Sequence, residues 1–223
     1  MVATFAPRLA VALVFLGAGC ARADYTESCA DLVKQAKISV VFQDRSVLTD
    51  ESRSIQALNG LSGKRAEGRH SVYGLTRAQP YFRVSAAVRA VMDNDRPVCA
   101  VPDISVDLGF SEIVVYLARE LTDPCRRSVI RDHEDEHVNT WKAHLRASAQ
   151  LLTTALQREV SNPRTYASPD EAEAGIRAWA AELVAPWAKR LLDSVIEAQH
   201  AIDTPASYAA VEARLRACPR TRR

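Results

Sequence analysis

The chain predicts an α+β fold: a small mixed or antiparallel sheet with one packed helix, followed by two long helices. Three observations carry this expectation. Before residue 120, short apolar runs alternate with polar positions and are punctuated by turn-forming residues, as strands are. From Cys125 to Val160 there is neither Gly nor Pro, and apolar residues recur at helical spacing. Residues 168–202 repeat that pattern, with Ile176, Trp179, Ala180, Leu183, Val184, Trp187, Leu191 and Val195 on one face.

Taken in order, residues 37–43 (KISVVFQ) read as a strand and residues 44–69 as a polar, weakly periodic loop. Residues 70–75 read as a short strand and residues 76–92 as a helix carrying Phe82, Val84, Val88 and Val91. Residues 104–108 alternate as a half-buried strand should, and residues 112–119 (EIVVYLAR) form a second strand joined to them through Gly109. Thr122-Asp123-Pro124 opens the first long helix, with Thr122 or Asp123 as cap and Pro124 where a missing N–H costs nothing. Asn162-Pro163 marks the turn before the second long helix, which Pro186 should kink or divide. An antiparallel hairpin of the two helices about residue 165 would set position 135 against position 195.

The one segment that names a chemistry is His133-Glu134-Asp135-Glu136-His137, which fits H-E-x-x-H within the first long helix. Residues four apart lie one turn apart on one helix face, so His133 and His137 can direct imidazoles at a single metal ion while Glu134 flanks them as general base. Helical projection sets Ile130, His133, His137, Trp141, His144, Ser148, Leu151, Leu152 and Ala155 on one stripe, with Asp132, Asp135 and Glu136 opposite. Catalytic zinc takes three protein ligands. His144 lies about 10 Å further along the helix, too far to share that ion. The hairpin pairing makes Glu197 the expected third ligand, with Asp193 and His200 as alternatives. The expected function is a zinc-dependent hydrolase, most naturally a metallopeptidase acting on peptide or protein substrates. Residues 112–119 are the expected edge for an extended substrate, and Tyr73 or Tyr116 could donate a phenol to an oxyanion.

Two other classes compete. Glu134-x-x-His137 and Glu197-x-x-His200 share the spacing of a di-iron carboxylate bundle, but such a bundle needs two more helices than the strand-like first half leaves room for. Alternatively, a disulfide-stapled binding or structural protein would bury His133 and His137 as plain polar residues.

The segment 73–145 resembles a bacterial family of predicted secreted zinc-dependent proteases, a domain of unknown function. The matching residues are Tyr73-Gly74-Leu75-Thr76, a Cys99-led strand pair ending in Val115-Tyr116, Cys125, and the His133 to His137 motif. The resemblance implies a zincin-like site with His133 and His137 as ligands and Glu134 as base, and leaves the third ligand open.

Residues 1–23 read as a signal peptide: Arg8, an apolar run too short to span stably, and an Ala21-Arg22-Ala23 cleavage site. Residues 24–223 are then expected to form a single domain, exported to the periplasm or beyond. Without Arg8 and Arg22, basic and acidic side chains balance at 27 each, which gives no nucleic-acid footprint and no membrane-surface patch. No later apolar run reaches spanning length. Four cysteines remain, Cys29, Cys99, Cys125 and Cys218, and an exported chain should pair them in two bridges. Cys99–Cys125 and Cys29–Cys218 are the expected pairs. The competing expectation is a lipid anchor on Cys20, although Gly17 stands where a lipobox carries Leu. Edman sequencing of exported protein should begin at Asp24; a chain starting at an acylated Cys20 would refute the signal-peptide reading.

Overall fold

The computed structural model describes residues 25–62, 71–93 and 96–219. The segment expected to be a signal peptide, with Arg8 and Cys20, lies outside them. The fold is mixed α+β: a five-stranded sheet and five helices, two of them long. In chain order the elements are α1 (Tyr25–Gln35), β1 (Ile38–Gln43), β2 (Leu48–Asp50), α2 (Ile55–Leu61), β3 (Gly74–Asp93), β4 (Arg96–Leu117), α3 (Pro124–Glu159), β5 (Arg164–Tyr166), α4 (Pro169–Ile202) and α5 (Pro205–Ala217).

β4 organises the sheet, since β1, β2, β3 and β5 all pair with it. β2 runs parallel to it, with Thr49 opposite Val115, and β5 antiparallel, with Thr165 opposite Cys99. The strand is 22 residues long and unbroken, where two strands split at Gly109 are expected from sequence. Gly109 is buried within it and takes the extended conformation like its neighbours, because partners on the flanking strands keep the ladder going. Residues 76–92 are likewise not a helix but most of the 20-residue strand β3. Their alanines favour a helix locally, but Pro80 disfavours one, and pairing with β4 decides the outcome. Within 44–69, the polar stretch contains β2 and α2; Ser54 caps α2 by accepting from the Ala57 amide at 3.2 Å.

The chain divides into two compact units. The first takes the described residues of 1–43 with Tyr81–Leu108 and Arg146–Leu191. In it α1 packs Cys29 and Leu32 against Cys99 and Val101 of β4, and Asp103 joins the Lys37 amide to the Arg89 guanidinium. The second takes Asp44–Pro80, Gly109–Leu145 and the described residues of 192–223. Its core includes Leu58, Ile113, Val115, Leu117 and Leu145, and Phe110 meets Trp141 edge to face at 6.0 Å. Asp123 caps α3, accepting from the Arg126 amide at 2.9 Å. α4 runs continuously through Pro186, whose ring is exposed.

Two disulfides form, Cys29–Cys99 and Cys125–Cys218, each within one unit. The number is as expected and the pairing is not. Cys99 stands near the start of β4 and Cys125 beyond its far end, so the length of that unbroken strand separates them, whereas a bridge needs Cα atoms within about 7 Å. α1 and α5, which the hydrophobic pattern did not reveal, bring Cys29 and Cys218 to their partners. Non-reducing peptide mapping should recover the Cys29–Cys99 and Cys125–Cys218 pairs with no titratable thiol in native protein, and loss of either bridge should cost about 2–4 kcal/mol by denaturant unfolding.

Candidate metal centre

The motif lies in the second unit, on α3, and its surroundings come from three other segments of that unit. The buried positions Ile130, Glu134, Val138, Trp141, Leu145, Ala149, Leu152 and Leu156 form the core stripe of α3. Against the projected stripe, Leu151 is exposed and Glu134 is buried, while His137 is buried as projected. His133 and His137 sit on the flank of the core stripe, one turn apart, with ring centroids 5.0 Å apart and planes nearly perpendicular.

α4 returns antiparallel to α3. Gln199 accepts from His137 Nδ1 at 2.6 Å and donates through Nε2 to the His137 carbonyl at 3.1 Å. The second bond settles which end of the amide is oxygen, so His137 carries a proton on Nδ1 and its Nε2 is the nitrogen turned toward Asp203. Position 137 thus faces 199, where the sequence hairpin would set it against about 193. The pairing centre is shifted toward residue 168.

One turn beyond Gln199 the helix ends, and Asp203 follows. Its Oδ1 lies 3.4 Å from His133 Nε2 and 3.3 Å from His137 Nε2. These three ligand atoms fall within 4.8 Å of one another. Glu197, the expected third ligand, is exposed and does not belong to this group, and Asp193 and His200 are exposed as well. The shifted register turns all three outward and brings Asp203 in. His144 approaches Ser194 instead, at 3.4 Å. A second cluster, Asp123 with Cys125 and Cys218, is of another kind: its sulfurs are tied in a disulfide, and a metal needs thiolates.

Glu134 is 5 % exposed. Thr76 of β3 donates to its Oε2 at 2.8 Å and also lies 3.2 Å from its backbone carbonyl. Gly74 passes so close that a Cβ there would lie 2.5 Å from Glu134 Oε1 and 2.6 Å from Ile130 Cγ2. The glycine is thus what lets β3 press onto the motif helix. Asp135 pairs with Arg131 at 2.8 Å and Glu136 is exposed, so neither enters the group.

The charges are strongly interdependent. Burial pushes the Glu134 carboxyl up, outweighing the Thr76 hydrogen bond and the two histidines that favour its anion. Burial also opposes the His137 cation, but hydrogen bonds with Asp203 and Gln199 and the Glu134 charge prevail and hold the imidazole above its ordinary range. For Asp203 burial is again the largest influence, and hydrogen bonds from His133, His137 and Tyr208 overcome it, keeping the carboxylate well below its usual range.

No family model, no curated protein and no solved structure matches the chain.

His133 and His137 come together as the motif spacing requires, and Glu134 stands between β3 and the helix. Asp203, Gln199, Thr76 and Tyr208 were not read from the sequence. One signal for Asp203 was available: Asp203-Thr204-Pro205 is a helix-start pattern, which ends the second long helix with a carboxylate just past its last turn. Tyr73 and Tyr116 are partly exposed residues that enter no contact of the group. Residues 112–117 are interior to the sheet, since β2 pairs with β4 at residues 114–116 and the Tyr73 carbonyl accepts from the Ala118 amide on the other side, so they offer no edge to a peptide.

Gly74→Ala should displace the Glu134 carboxylate from Thr76 and cost about 1–3 kcal/mol, measured by denaturant unfolding. Thr76→Val should cost about as much, by leaving the buried carboxyl without its donor.

Proposed function

We propose that the chain is an exported zinc-dependent hydrolase, a metallopeptidase, with His133, His137 and Asp203 as metal ligands and Glu134 as general base. The observation that carries this reading is the convergence of two imidazole Nε2 atoms and one carboxylate oxygen within 4.8 Å. Two nitrogens and one oxygen form a donor set that suits zinc and leaves a fourth position for water or substrate. The Gln199 bond supports it further, because a ligating imidazole commonly donates its other N–H to a fixed acceptor.

A bound zinc would lower the pKa of water toward about 7 and polarise a scissile carbonyl. The chain's own residues supply the remaining chemistry. Glu134, raised by burial and held by Thr76, is suited to take a proton from the attacking water and pass it to the departing amine. A carboxylate at its ordinary pKa would release that proton to solvent too readily to serve as the acid in the second step. A peptide substrate is the reading that β3 supports. Among the described residues β3 pairs with β4 alone, and an extended peptide would add to its other edge beside Thr76 and Gly74. Two disulfides fit an oxidising compartment, and among the described residues no helix is long and apolar enough to cross a membrane.

Metal analysis of purified protein should find one zinc per chain, lost in His137→Ala and Asp203→Ala and retained in Glu197→Ala. Glu134→Gln should keep the zinc while peptide hydrolysis falls by at least about 10²-fold. Two irons per chain would favour the di-iron bundle, and an absence of metal would favour a binding protein. An active Glu134→Gln enzyme would end the mechanism.

A further inference from the structure

Asp203 is the one member of the metal group that no long helix holds. It follows the last residue of α4, and Thr204, the next residue, already caps α5. The two α3 histidines meet one of the Asp203 oxygens, Oδ1. α5 supplies a further contact to the same carboxylate. Its first turn is locked by a reciprocal capping box: Thr204 Oγ1 accepts from the Ser207 amide at 3.1 Å, and Ser207 Oγ accepts from the Thr204 amide at 3.1 Å. The next residue, Tyr208, points back over the junction. Its hydroxyl donates to the Asp203 carboxylate. Its ring centroid lies 5.9 Å from that of His133, tilted by 48°.

The far end of the helix is tethered as well. Cys218 is bonded to Cys125 at the start of α3, and Arg214 pairs with Asp132, the neighbour of His133. α5 is therefore fixed to α3 through a disulfide, an ion pair and the Tyr208 ring, which holds the Tyr208 backbone close to His133 and Asp203.

We infer that Tyr208 is the positioning residue of the metal centre: its hydroxyl sets the Asp203 carboxylate in the orientation that completes the His133 and His137 pair. The inference rests on the zinc reading and adds to it a residue outside the ligand set. Tyr208 is 39 % exposed, so removing one oxygen from it leaves no buried cavity and should not disturb folding.

The test measures zinc affinity by competition with a chromophoric chelator, and the visible absorption of the cobalt(II)-substituted protein, for wild type, Tyr208→Phe, Asp203→Asn and the double variant. Tyr208→Phe should raise the zinc Kd about tenfold or more and shift the cobalt bands, with the thermal midpoint of metal-free protein unchanged. If the phenol acts through the carboxylate, the double variant should bind no more weakly than Asp203→Asn alone. An unchanged Kd and spectrum in Tyr208→Phe would overturn the inference and leave the zinc reading standing, as would additive losses in the double variant. Wild-type protein that binds neither zinc nor cobalt would overturn both.

Discussion

The pair of hydrogen bonds between Gln199 and His137 is the contact on which the site depends. One bond takes the Nδ1 proton of the imidazole and the other grips the helix backbone, so a single amide both orients the His137 ring and registers α4 against α3. The consequence is geometric. In an antiparallel pair, moving one turn forward on α4 corresponds to moving one turn back on α3, so with 199 set against 137, residue 203 falls opposite 133. Asp203 thereby meets both histidines at once. A slip of one turn would carry Asp203 past the histidines.

Around this contact the second unit confines charge where water is scarce. A carboxyl as buried as Glu134 is costly unless it has a partner, and Thr76 and the neighbouring histidines provide for it. The close approach that permits this comes from Gly74, which has no side chain to hold β3 away from α3. Gly74 and Thr76, two residues apart on β3, thus provide both the close approach and the hydrogen-bond donor for the Glu134 carboxyl of α3.

The two disulfides have different roles. Cys29–Cys99 secures α1 against the beginning of β4 in the first unit. Cys125–Cys218 acts on the centre itself, because it ties the end of α5 to the start of the motif helix and so sets the helix from which Tyr208 reaches Asp203.

The amino-acid sequence by itself determined the two long helices, the cap and proline that open the first of them, the strand at residues 38–43, and the presence of His133, Glu134 and His137 on one helical segment. These are local properties, set by spacing, propensity and capping within a turn or two. It did not determine that residues 76–92 are a strand, because their helical preference is overruled by pairing with β4. Nor did it determine the cysteine partners, which depend on α1 and α5. The third member of the candidate metal group differs from the expected Glu197 for a similar reason: the loop midpoint predicts one hairpin register, and side chains meeting across the helices set another. A shift of several positions leaves both amphipathic patterns intact, so the pattern is blind to it. Only the tertiary structure, through Gln199 against His137, turns Glu197 to solvent and Asp203 to the histidines.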